Sequence, residues 1–153
     1  MTTSPPLHLV LIKLPPEGLS RMIASKGACL TELSAGEIAG YLPDTDVEDR
    51  IPYRDIRMEA EDPSSAVRAI IDGGQPLPKD PRWGHTHPVG HAPARVQALA
   101  RLLPAVAARR RLLDRLVHPD GPNDPSGPEA MARIARFFAR ASAEGKAVIA
   151  GVG

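Results

Sequence analysis

The sequence predicts a single α+β domain, and three observations carry that expectation. Apolar runs of strand character stand at both ends of the chain, Leu7–Leu14 (LHLVLIKL) and Lys146–Val152 (KAVIAGV). Between them, apolar residues recur at helical spacing in segments bounded by proline and glycine. The chain is also long enough, at 153 residues with 42% apolar content, to bury about two-thirds of its unfolded surface around one core. Strands at the two ends with helices between favour a small mixed or antiparallel sheet with several helices packed on it. Aromatic residues make up only 3%, so the core must be built from Leu, Ile, Val and Ala, with Phe137 and Phe138 as its large pieces.

Each element has a local reason. Residues 1–6 are polar and proline-containing and read as a frayed start. The first strand stops at Pro15-Pro16, which suit the first turn of a helix because their missing N–H groups cost nothing there. Leu19, Met22 and Ile23 fall on one face of that helix, and Gly27 is a natural stop. A second short helix is expected within Leu33–Tyr41, since Ser34 and Glu37 have capping-box spacing. The acidic run Asp44, Asp46, Glu48 and Asp49 reads as a solvated loop. Ile51–Ala60 alternates loosely through Tyr53, Ile56 and Met58 and reads as a strand.

Asp62-Pro63-Ser64 starts a helix that Gly73-Gly74 ends. Residues 75–92 form a long Pro/Gly/His loop, a kind of segment that in compact domains is often functional. Pro93–Val117 is a helix carrying Val96, Leu99, Leu103, Leu112, Leu113 and Leu116, which Pro104 should break or kink. Arg109, Arg110 and Arg111 fan around it as a solvated face. Ser126 caps a last helix with Met131, Ile134, Phe138 and Ala141 on its core face, and Gly145 ends it.

Charge and motifs exclude several classes. A net charge of +1 gives no argument for nucleic acid or an anionic membrane. No run approaches the roughly 18 apolar residues of a membrane span. The first residues lack a secretory pattern, so the expected compartment is the cytoplasm. The single cysteine, Cys29, reads as a small buried hydrophobe and excludes an intrachain disulfide. The dinucleotide, P-loop, nucleophile-elbow and H-E-x-x-H patterns are all absent.

One cluster carries possible chemistry, Trp83-Gly84-His85-Thr86-His87-Pro88-Val89-Gly90-His91. In an extended segment, His85 and His87 point to the same side, as chelation requires, and His91 can return across Gly90. Three imidazoles suit Zn²⁺ with a position left for water. Without metal, His87 or His85 can act as a general acid or base, with Trp83 and His91 lining a ligand site. The bland alternative makes all three histidines loop residues bonded to backbone or water. His8, in a strand, and His118, in a turn, read as structural.

The second half also resembles a known family. Ala92–Leu103 (APARVQALARLL) is similar to the "TPEEV-x-x-x-A-x-x-L" helix of the YfbM-like bacterial domain of unknown function. Phe137–Val148 (FFARASAEGKAV) resembles that family's closing helix and strand, "F-Y-x-x-A-A-x-x-G-K-A-V". Leu14–Leu19 (LPPEGL) resembles its "V-x-P-E-E-L" helix start. The resemblance implies an α+β fold and no reaction. Where the family has Trp and His in the helix matching 62–73, this chain has Ser64 and Arg68, and Arg68 joins the ligand-binding candidates. Where the family has "G-P-A-R-Y-L", this chain has Thr86–His91.

Two functions follow as expectations. One is a bacterial accessory or binding protein whose partner is another protein, with no cofactor. The other is a small enzyme, of cyclase, lyase or hydrolase type, working on a small molecule at the histidine segment.

Overall fold

The computed structural model describes residues 7–24, 47–77, 88–117 and 126–153. The elements are β1 (His8–Leu14), α1 (Pro16–Ala24), β2 (Val47–Pro52), α2 (Tyr53–Ala60), α3 (Ala66–Asp72), β3 (Gln75–Pro76), β4 (Val89–His91), α4 (Pro93–Val117), α5 (Ser126–Ala143) and β5 (Ala147–Val152). The helix expected at 33–41 and the residues Cys29, Trp83, His85, His87 and His118 lie outside the described residues.

The chain is an α+β domain on one antiparallel sheet of order β2-β1-β5-β4-β3. The two terminal strands pair at its centre, from Leu9 opposite Val152 to Leu14 opposite Ala147. Alternation along β1 sends Leu9 and Leu11 to one face, where they meet Ile56, Val67, Leu103, Met131 and Phe138 from the helices α2 to α5. Lys13 shares that face. It is almost wholly buried at its end, where its Nζ donates to Glu144 Oε2 at 2.5 Å. The opposite face is smaller. There Leu14, Ala147 and Ile149 pack with Leu19 of α1 and Leu77. A Cβ at Gly90 would overlap the Leu19 side chain, so glycine lets α1 close onto β4. Ile23, expected on the same apolar face as Leu19, is instead 46% exposed.

Several boundaries differ from those expected. The strand read at 51–60 is β2 followed directly by α2. Pro52 holds an extended φ/ψ of −63°/129° and the chain turns helical at Tyr53, burying Ile56 and Ala60, which are one helical turn apart. Glu48 and Asp49 belong to β2, not to a loop. α3 begins at Ala66, capped by Ser65 Oγ, which accepts from Val67 N at 3.2 Å. The expected loop 75–92 contains β3 and β4, so that residues 78–87 connect antiparallel neighbours. α4 runs unbroken through Pro104. After α5, Gly145 adopts φ +66°, the left-handed conformation that glycine permits at a helix end.

Candidate functional site

His91 is the one member of the histidine cluster among the described residues, and β4 places it wholly inside the protein. The Arg95 side chain, one turn into α4, donates Nε–H to His91 Nδ1 at 3.0 Å. A guanidinium cannot accept, so Nδ1 is the unprotonated nitrogen. The Nε2–H therefore donates to the Ile70 carbonyl at 2.7 Å. Arg95 Nη2 also donates to the Ala69 carbonyl at 3.3 Å. Ala69 and Ile70 are in the last turn of α3; the Ala69 carbonyl accepts from the capping Gly73 N–H at 2.9 Å as well as from Arg95, and the Ile70 carbonyl takes the imidazole. His91 and Arg95 thus close the C-terminus of α3, and Phe138 stands edge-on to the imidazole at 6.3 Å between centroids.

Burial, reinforced by the positive charge of Arg95, pushes the imidazole down to about 4, against the pull of the Ile70 carbonyl. Both ring nitrogens are occupied by protein groups, so the described arrangement leaves neither for a metal or substrate. A three-imidazole site would require His91 to leave it. Among the described residues no three His, Cys, Asp or Glu side chains converge, and His85 and His87 are outside that set.

Arg68 lies on the outer side of α3. Its Nε donates to Asp72 at 2.5 Å, one turn on, and its Nη1 reaches the Ala60 carbonyl at 3.4 Å. The exposed Arg68–Asp72 pair lies within α3, and the bond to Ala60 ties the end of α2 to it.

The structure brings together a different set of residues. A groove of about 300 Å³ runs between α2 with the 61–66 turn on one side and α4 on the other. Met58, Leu102, Ala105, Val106 and Leu113 give it an apolar lining. Its end is polar. Asp62 accepts from Ser64 Oγ at 2.7 Å and Ser64 N at 3.0 Å, and these bonds, with Arg109 nearby, hold its carboxyl below the usual carboxylate range. Glu59 and Arg110 also line the groove, and Arg110 Nη1 donates to both Glu59 oxygens at 2.5 Å. Arg110 in turn packs on Gly127 in the first turn of α5, where any Cβ would overlap its guanidinium. Of the three arginines expected to be solvated, Arg109 and Arg111 are exposed and Arg110 is this inward brace.

The groove's signal was present in the sequence of α4. One stripe, Val96, Leu99, Leu103 and Ala107, is buried. A second stripe, Leu102, Val106, Arg109, Leu113 and Leu116, also recurs at intervals of three and four but faces outward. Reading all the leucines as a single apolar face hides that second stripe.

No protein-family model, no curated protein and no solved structure matches the chain.

Proposed function

We propose that this chain is a non-catalytic binding protein that docks an apolar helical segment of another protein in the α2–α4 groove. The observation that carries this reading is the exposure of large apolar side chains inside a concave site: Met58 is 53% and Leu102 is 56% exposed beside half-buried Val106 and Leu113. Contiguous apolar surface of this kind marks interaction sites, and a groove between helices takes an amphipathic helix by side chains one turn apart. The small polar groups of Ser64, Ser65 and Asp62 at one end supply orientation. The YfbM-like resemblance rests on the ordered sequence segments alone and adds no partner.

The test is a selection from a displayed library of 16-residue amphipathic helical peptides with Leu at the apolar positions and a randomised polar face. The expected binders lose affinity by about tenfold or more on Leu102→Asp and on Met58→Asp, the scale of an interface hot spot. Both positions are exposed, so the fold should survive, which circular dichroism checks. Binders indifferent to both substitutions would remove the groove reading.

The enzyme reading draws on the sequence clustering of His85 and His87, as acid–base groups or zinc ligands, beside Trp83. With His91 committed to the core, a zinc site there needs a further ligand from elsewhere. Elemental analysis of tag-free protein decides it. Stoichiometric zinc that is lost in His87→Ala supports the reading, and a metal-free protein after incubation with zinc and desalting ends its metal version.

A further inference from the structure

We infer that the helix taken by the groove meets its polar end with an uncharged amide side chain, of asparagine or glutamine, and that charge of either sign is selected against there. This rests on the docking reading above and adds the chemical class that the partner must present.

The charges of the groove cancel within its own walls. Four charged side chains line it, Glu59, Asp62, Arg109 and Arg110, two of each sign. Arg110 Nη1 donates to both oxygens of Glu59. Asp62 is ionised, held by the N–H and hydroxyl of Ser64 with Arg109 nearby. No charge is left over to attract one on a partner. A carboxylate entering here is drawn to Arg109 and repelled by Asp62, and an ammonium meets the reverse. Either one also sheds water against Leu102, Val106 and Leu113, and that loss has no offset.

The hydroxyls at the same end are polarised in opposite senses. Ser64 Oγ–H donates to Asp62 at 2.7 Å, so what remains on Ser64 is a pair of acceptor sites. Ser65 Oγ accepts from Val67 N–H at 3.2 Å and keeps its own proton to give. Adjacent residues of one wall thus offer an acceptor and a donor. A carboxamide answers both, with N–H groups to donate and a carbonyl to accept. A carboxylate only accepts and an ammonium only donates. An apolar side chain would cover both hydroxyls and satisfy neither. Met58, Leu102 and Leu113 therefore set the apolar face of the partner helix, and Ser64 and Ser65 set the amide beside it.

The experiment uses the full chain and four synthetic 16-residue peptides with identical Leu faces and flanks of Gln, Glu, Lys or Ala. Each is held helical by a hydrocarbon staple on its solvent side. Affinities are read by fluorescence anisotropy, with sedimentation velocity of the chain alone beside it. The Gln peptide should bind about fivefold more tightly than each of the others, the scale of one or two net hydrogen bonds. Asp62→Asn should narrow its lead over the Glu peptide, and Arg109→Gln its lead over the Lys peptide. Both residues are exposed, so the unfolding midpoint should hold. Leu102→Asp should weaken all four peptides. Leu102-dependent binding in which the Glu, Lys or Ala peptide equals or exceeds the Gln peptide overturns the amide inference and leaves the docking reading standing. Failure of all four peptides, or binding that ignores Leu102, overturns both. Self-association that Leu102→Asp abolishes, with no peptide bound, overturns both in favour of a second copy of this chain.

Discussion

The fate of His91 is decided by the company its ring keeps. A buried imidazole is tolerated because one nitrogen accepts from Arg95 and the other donates to the Ile70 carbonyl. Protonating Nδ1 would place a charge in the core against the Arg95 guanidinium and break the bond between them. The linkage has a definite sign. The folded value lies near 4 and the unfolded value near 6.5, so the unfolded chain binds more protons between them. His91 therefore costs no stability above about pH 6.5, and the protein loses stability as pH falls from there towards 4, by up to about 3 kcal/mol. Urea unfolding from pH 7 to pH 4 should show this decline, and it should flatten in His91→Gln. A His91→Gln variant with an unchanged slope would assign the decline to other groups. Sequence alone could group His91 with His85 and His87 by proximity. It could not show that Ile70 and Arg95 close around it, because the partner carbonyl is 21 residues away.

At the scale of elements, α4 belongs to two environments at once. Its inner stripe joins the core, Leu102, Val106, Arg109 and Leu113 of its outer stripe line the groove, and the Glu59–Arg110 pair bridges the two walls. Arg110 reaches from α4 to Glu59 on α2 and rests on Gly127 of α5. The two side chains are only 18% and 9% exposed, so removing one leaves a desolvated charge behind. Arg110→Met should cost about 3 kcal/mol, and Glu59→Met added to it should restore much of that loss. Chemical denaturation of the two single variants and the double measures the coupling, and additive losses would mean that the pair does not brace the groove. The sequence made long, strongly periodic elements legible. The bounds of α4 are those its proline, apolar spacing and turn-rich end predict, and α5 begins at its expected cap. It misled where elements are short. Tyr53, Ile56 and Met58 imitate alternation over too few residues to separate strand from helix. β4 has only three residues, and its pairing with β5 is non-local, so no local pattern announces it.

For the whole molecule, the antiparallel sheet with helices α2 to α5 on one face and α1 on the other follows from the central pairing of the first and last strands. No described helix is long and apolar enough to cross a membrane. The architecture places the end of α2 and the middle of α4 side by side, and the groove exists only because of that packing. Met58 and Leu102 are far apart in sequence and each alone is an unremarkable surface residue, which is why the site was not legible before the fold. The most direct measurement of the docking claim is the dissociation constant of the tightest selected helical peptide for the wild-type chain and for Leu102→Asp. The account predicts a loss of about tenfold or more with an unchanged unfolding midpoint, because Leu102 contributes to binding and not to the core. Equal affinity for the two proteins would contradict it.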